Sequence, residues 1–181
     1  MLSTDGSPSG HNNIGYPGDH SALMLYNKDG IKVRKSESKD IAYLAQHMRK
    51  CDVDEVWAAA HKTPEEALRE GMDHSIYCRT CENGNPILMF GIVPHSICGH
   101  SASVWMLSTD DIEKIKIKFL RHNKEYLDEM LCYYSRLENF VHSKNTKSVQ
   151  WLKCLGATIE EARPYGVDQE LYHHFYFERK S

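Results

Sequence analysis

Residues 101–120 read SASVWMLSTDDIEKIKIKFL, and a change of rhythm halfway along them decides the fold. Ser101 to Leu107 carries the consecutive apolar residues Val104, Trp105, Met106 and Leu107, the composition of a buried strand. Ser108-Thr109-Asp110-Asp111 then reads as a helix start, because short oxygen-bearing side chains accept from the unpaired N–H groups of a first turn. From about Asp110 to Tyr134, Ile112, Ile115, Phe119, Leu120, Leu127, Met130, Leu131 and Tyr134 recur at helical spacing. Lys114, Lys116, Lys118, Arg121 and Lys124 line much of the remainder, as a solvated face does. A strand feeding a long one-sided helix needs a sheet for that helix to cover.

Upstream, Ile31-Lys32-Val33-Arg34 alternates as a short strand. A helix capped by Ser36 or Ser38 runs to about Lys50, with Ile41, Leu44, Ala45 and Met48 on one face. A second helix is expected over Asp54 to Ala60. Thr63-Pro64-Glu65-Glu66 starts a third, in which Thr caps, Pro fills the first turn and Glu66 closes a capping box; it is expected to end near Gly71. Ser75 to Cys81 and Pro86 to Val93 read as a hairpin across Glu82-Asn83-Gly84-Asn85. Downstream come a strand from Leu137 to His142 and a helix from Thr146 to Leu155 ended by Gly156. Strands at Ala157 to Arg163 and Leu171 to Glu178 close the chain. The order predicts an α+β domain over residues 30–181, with a mixed, mostly antiparallel sheet flanked by helices.

Residues 1–29 differ. Glycine, proline and serine punctuate Met1 to Ser21 with hardly any apolar periodicity, a composition that cannot offset its ordering entropy by burial. They are read as an extended N-terminal arm, and an assembly element.

The composition excludes several classes. With 41% hydrophobic and 26% charged residues in a chain of 181, a core can form without a disulfide or metal staple. No run of about 18 apolar residues offers a membrane span. Met1 to Gly6 lacks the basic and apolar regions of a secretory leader. The 22 Lys plus Arg against 25 Asp plus Glu give a net charge of −3, which is no footprint for non-specific nucleic-acid binding. The six cysteines lack the dense spacing of a disulfide scaffold, so free thiols are the default. Cys78 and Cys81 have zinc-ligand spacing, and His95, Cys98 and His100 are near enough in sequence to join them. Yet residues three apart on a strand face opposite ways, and no metal site is assigned. His173 and His174 on the last strand diverge for the same reason. Trp57, Trp105 and Trp151 are read as core or interface aromatics.

This order of elements, with Ile31-Lys32-Val33-Arg34 leading to Asp40-Ile41 and Asn145-Thr146 leading to Leu155-Gly156, resembles the GNAT (Gcn5-related N-acetyltransferase) superfamily. The combination of Trp105 and Thr109, the basic helix, Leu137-Glu138-Asn139-Phe140-Val141, and Trp151-Leu152-Lys153 before Gly156-Ala157 is similar to a narrower group. That group is the internal virion protein A family of short-tailed double-stranded-DNA phages. The resemblance implies a virion-associated or assembly protein, found in the virion and before that in the host cytoplasm. Its partners would be other virion proteins, met partly through the arm at 1–29.

The superfamily also implies acetyl-CoA as cofactor, and two parts of the machinery for it can be inspected. Members hold the pyrophosphate on a glycine-rich turn between the fourth strand and third helix, where backbone N–H groups and the helix dipole favour an anion. Here that junction is Ser108 to Lys114, with no glycine and with Asp110, Asp111 and Glu113 in its place. Many members protonate the leaving thiolate with a tyrosine seven residues after the helix-starting Asn; counting from Asn145 lands on Leu152, which carries no proton. Ala157 replaces the aromatic after Gly156. Tyr133, Tyr134, His142 and Cys154 lie nearby in sequence, but nothing orders them as a site, so no catalytic residue is assigned. Should acetyl-CoA bind, Asn145 and Thr109 are the residues the resemblance nominates, although Asn145 is a strong helix cap in its own right. His95 and His100 flank Gly99 in a loop near the sheet centre, where the superfamily often keeps its base. The reading is a phage assembly protein with a degenerate acetyl-CoA site; its alternative is an N-acetyltransferase acting on a host protein or small amine.

Overall fold

The computed structural model describes residues 26–28, 30–96 and 98–179. Strands β1 (Tyr26–Lys28) and β2 (Ile31–Lys35) precede helices α1 (Ser38–Gln46), α2 (Lys50–Ala60) and α3 (Pro64–His74). A meander of β3 (Tyr77–Asn83), β4 (Asn85–Pro94) and β5 (Ser101–Ser108) leads into the long helix α4 (Ile112–Tyr133). Then follow β6 (Arg136–His142), α5 (Thr146–Cys154), β7 (Thr158–Tyr165) and β8 (Glu170–Glu178). The strands form one sheet in the order β1-β2-β3-β4-β5-β6-β8-β7. All neighbours are antiparallel except β5 and β6. From Ile31 onward the elements occur in the order the periodicity predicts.

Both faces of the sheet are covered, as the two-sided apolar runs require. On one face Ile112, Ile115, Phe119, Leu127, Met130 and Leu131 of α4 pack against Phe90, Ile92, Leu137, Val141, Phe175 and Phe177. On the other, Ile41 and Leu44 of α1 and Leu68 of α3 enclose Met89, with Trp105 and Leu107 against them. The strand alternation puts Cys81 in the first cluster and Cys78 beside the second, on opposite sides of the sheet. Among the described residues no group of three His, Cys, Asp or Glu is placed to hold a metal ion, and no helix is long and apolar enough to cross a membrane.

Several boundaries differ from the sequence reading. Sheet pairing begins at Tyr26, inside the segment 1–29 assigned to the arm: Tyr26 to Lys28 pair with Val33 to Ile31 across a turn at Gly30. The rest of the arm lies outside the described residues. The first helix stops at Gln46 rather than near Lys50, and α2 starts at Lys50 rather than Asp54. The break lets Met48 bridge to Thr109 and the Arg49 N–H donate to the Ser108 carbonyl at 3.0 Å, tying the chain to the end of β5. The α1 cap is Glu37, whose N–H donates to Asp40 Oδ2 at 2.9 Å, in place of Ser36 or Ser38.

Helix α3 runs past Gly71 to His74, because Gly71 is a packing position. A Cβ there would lie 2.8 Å from Cζ2 of Trp105. That indole is held by its Nε1–H donating to Ser75 Oγ at 2.9 Å, and Ser75 Oγ–H donates to the Gly71 carbonyl at 2.6 Å. Gly71→Ala is therefore expected to lower stability by roughly 1–2 kcal/mol, since overpacking outweighs the gain in helix propensity. Urea unfolding would measure it, and a more stable variant would contradict the packing argument.

Candidate functional site

β5 and β6 run parallel but pair only through Ser101↔Arg136, Ala102↔Leu137 and Ser103↔Glu138. Beyond that point no ladder joins them, and a cleft opens. At its throat the Asn139 carboxamide stands in for the missing ladder: Nδ2–H donates to the Val104 carbonyl at 2.9 Å, and Oδ1 accepts the Phe140 N–H at 2.8 Å. The cavity measures about 590 Å³ and is lined by α2 residues such as Glu55 and Val56, and by Phe119, Trp151, Leu152 and Leu155 of α4 and the α5 region. Helix α5 has no fully buried residue; Val149, Trp151, Leu152 and Leu155 are only partly covered.

The mouth is braced by α2. Asp52 Oδ2 accepts the Ser108 N–H at 3.0 Å and the Arg49 Nε–H at 2.7 Å, and Arg49 Nη2 donates to Ser148 Oγ at 3.2 Å. One turn on, Glu55 Oε1 accepts the His142 N–H and Oε2 accepts Asn145 Nδ2–H, both at 2.9 Å. Two carboxylates three residues apart share a helix face, and here that face closes backbone donors at the ends of β5 and β6. Burial pushes the Glu55 carboxyl above its ordinary range, against the pull of the Asn145 and His142 hydrogen bonds. The sequence reading missed Arg49, Asp52 and Glu55. The three-residue spacing of Asp52 and Glu55 was the available signal, and it was set aside by starting the helix at Asp54.

Four successive N–H groups of the β5–α4 junction are used within the turn. The Asp111 N–H donates to Thr109 Oγ1 at 3.3 Å, Ile112 N–H to the Thr109 carbonyl at 3.2 Å, Glu113 N–H to that of Asp110 at 3.2 Å and Lys114 N–H to that of Asp111 at 3.0 Å. The exposed Glu113 carboxylate receives Lys116 Nζ at 2.7 Å and Lys147 Nζ at 3.0 Å, and those hydrogen bonds bring its pKa down to about 2. It is negative at neutral pH. A pyrophosphate needs free N–H donors and backbone approach without Cβ atoms; these residues supply neither, and they do not fit it.

Thr109 is buried, donating its N–H to the Ile87 carbonyl at 2.8 Å and using its hydroxyl oxygen within the turn; it is not among the residues lining the cleft. Asn145 does line it, but as the N-cap of α5, with Oδ1 accepting the Ser148 N–H at 3.3 Å and Nδ2 given to Glu55. The structure therefore places one of the two nominated residues, Asn145, in the cleft and the other, Thr109, outside its lining, and engages both in structural hydrogen bonds. Of the nearby proton donors, Cys154 lines the cleft. His142 is turned away: its Nδ1 accepts the Lys144 N–H at 3.0 Å, so the proton sits on Nε2, 2.7 Å from Glu170. Tyr133 lies by Tyr77, and Tyr134 packs on the α4 core. Trp151 stands 6.1 Å from Phe119 inside the cleft, whereas Trp57 is 52% exposed and stacks on His61.

An eight-stranded mixed sheet that parts between the parallel neighbours β5 and β6, with helices on both faces, has the GNAT-type α+β fold. Solved structures of that class superpose over most of the chain. A ribosomal-protein-S5-alanine acetyltransferase from Vibrio fischeri gives a TM-score of 0.64 at 17% identity, covering 88% of this chain and 98% of its own. A spermidine N-acetyltransferase from Vibrio cholerae, in complex with CoA and spermine, gives 0.57 at 12% identity, covering 83% and 96%. At those identities the likeness is one of fold. Sequence relatives narrow it: the "Probable scaffold protein gp13" of Escherichia phage T7 is 32% identical over 116 residues, 59% of this chain and 79% of the relative. The family described as bacteriophage T7, probable scaffold protein Gp13, matches residues 87–162, from β4 to β7. The chain belongs to the phage T7 Gp13 scaffold protein family.

Proposed function

We propose that the chain is a virion-associated or assembly component of a phage, working by protein–protein contacts on a GNAT-like scaffold whose acetyl-CoA site is degenerate. The observation that carries this reading is the β5–α4 junction, where four successive N–H groups are spent within the turn and Glu113 adds a carboxylate held by Lys116 and Lys147. Kinship with a probable scaffold protein supports the assembly role. On this reading its partners are other virion proteins, met partly through residues 1–29, and it passes from the host cytoplasm into the particle. Fold alone would not decide it.

The cleft itself favours one alternative, an acetyl-CoA-dependent N-acetyltransferase acting on a host protein or small amine, because a cavity of about 590 Å³ still opens between the central strands. In that case Asn145 and Thr109 would have to exchange their present hydrogen bonds for cofactor contacts. Thermal unfolding with added acetyl-CoA separates the two. A ligand at 100 times its dissociation constant stabilises the native state by about 2.7 kcal/mol, a shift of several degrees. The proposal expects no shift up to millimolar acetyl-CoA and expects the chain in purified particles by mass spectrometry. A clear shift reversed by CoA would overturn the degenerate-site reading.

A further inference from the structure

On the sheet face opposite α4, β5 and β6 carry a polar cluster just before they part. Ala102 and Leu137 point into the α4 core with no exposed surface, so Ser101, Ser103 and Glu138 project the other way. Ser103 and Glu138 are register neighbours across the parallel pair. His95, at the end of β4, folds back over them, with its N–H 3.4 Å from the Ser101 carbonyl. Its ring touches all three side chains. Nε2 lies 2.7 Å from Ser103 Oγ, Nδ1 lies 3.0 Å from Ser101 Oγ, and Nδ1 is 3.5 Å from Glu138 Oε1.

The chemistry of these contacts is directional. A neutral imidazole has one donor and one acceptor nitrogen. With Nδ1–H turned to Ser101 Oγ and the Glu138 carboxylate, Nε2 is left to accept from the Ser103 hydroxyl. That is a nucleophile bonded to a base whose other nitrogen is held by Ser101 Oγ, with the Glu138 carboxylate 3.5 Å away, a set of roles that marks a serine nucleophile by geometry and not by sequence position. Glu138 is itself fixed: Arg136 Nε donates to its Oε2 at 2.8 Å, and His174 Nε2 stands 3.3 Å from the same oxygen. Burial pushes its carboxyl up, but Arg136, His174 and His95 bring it below the ordinary range, so it stays a carboxylate. The ring of His95 is exposed and Ser103 is half-buried beside it, so the pair lies at the surface. The assembly function leaves all of this unused.

We propose that Ser103 is a nucleophilic serine, with His95 as its base and Glu138 as a positioning residue, and that it acts on esters of small carboxylic acids. Ser103 Oγ attacks the ester carbonyl carbon as its proton passes to His95 Nε2. The bond from that carbon to the leaving oxygen breaks, and His95 returns the proton to the departing alcohol. Water then attacks the acyl-serine with His95 again as base, releasing the acid and restoring Ser103. The sum is ester plus water to acid plus alcohol, with no other reactant.

The test uses the full chain with p-nitrophenyl acetate as substrate and a fluorophosphonate as covalent probe. The wild type is expected to release p-nitrophenol and to gain a single probe adduct that peptide mapping places on Ser103. Ser103→Ala, which leaves the core untouched, should lose both. His95→Gln should slow turnover by about 10²–10⁴-fold, the usual worth of a general base. Glu138→Gln should lower kcat per folded molecule, with the folded fraction measured by circular dichroism, and should shift the pH profile of kcat, which a mere folding defect would leave in place. A wild type that is not labelled and does not hydrolyse the ester above its Ser103→Ala variant would overturn the proposal, as would labelling that persists in that variant.

Discussion

Arg34→Met is expected to cost about 3–5 kcal/mol of stability at neutral pH, because it strips one partner from a buried charge cluster. The guanidinium is 12% exposed and bridges β2, β3 and α1. It gives Nη1 and Nη2 to the Asp40 carboxylate at 2.8 and 2.7 Å, and Nε to Glu82 at 2.8 Å. Asp40 is 1% exposed and also accepts the Glu37 N–H and the Thr80 hydroxyl, both at 2.9 Å. Burial alone pushes the Asp40 carboxyl up, yet the hydrogen bonds from Arg34, Glu37 and Thr80 carry it net below its ordinary value of 3.8. A depressed carboxyl contributes stability above its unfolded pKa and loses it as pH falls through the folded one. Without Arg34 the sign reverses, since burial then acts with less opposition and the folded state favours a protonated Asp40. The deficit of the variant should thus be greatest near pH 7 and shrink towards pH 4. Urea titrations at both pH values would show it, and a loss below about 1 kcal/mol at pH 7 would refute the account, being what an exposed pair delivers.

That cluster also shows which parts of the molecule are written locally. The strand at Ile31 to Arg34 and the helix bearing Ile41 and Leu44 follow from residues a few positions apart, and so does the α4 stripe from Ile112 to Leu131, which the structure buries. The β5–α4 junction was legible for the same reason: a missing glycine and adjacent carboxylates are facts of neighbouring residues. What joins distant segments was not. The break after Gln46 exists because Met48 meets Thr109, and Gly71 sits inside a helix because Trp105 lies on it; local propensity reads both the other way. Tyr26 to Lys28 is too short to display an alternation. Arg34 itself was read as part of a strand, with no hint that Glu82, 48 residues on, would share its charge. His95 was visible as a loop histidine, but its approach to Ser103 and Glu138 depends on the register of three strands.

Glu55→Ala is expected to produce the second large effect, about 2–4 kcal/mol, with an opposite pH signature. Removing the carboxylate strands the His142 N–H and Asn145 Nδ2–H, two donors at the entrance to α5, and each unsatisfied buried donor costs about 1–3 kcal/mol. Partial access of water to the cleft keeps the sum below the maximum. Because no residue of α5 is fully buried, its attachment rests heavily on these caps, and its amides should exchange with deuterium faster in the variant while those of α4 keep their protection. The wild-type Glu55 carboxyl is raised above its ordinary value of 4.5, mainly by burial. A raised acid binds its proton more tightly when folded, so its contribution is fully present below the unfolded pKa and declines as pH rises through the folded one. Asp40 and Glu55 therefore tilt the stability profile in opposite senses. Glu55→Gln isolates the second term: the neutral amide can still accept the His142 N–H, but it no longer loses stability on ionising. Its deficit relative to wild type should be small at pH 7 and larger at pH 4. A Gln variant whose deficit is instead largest at pH 7 would mean that Glu55 stabilises the cleft as a charge, and that α2 is held there by electrostatics and not by the capping of two donors.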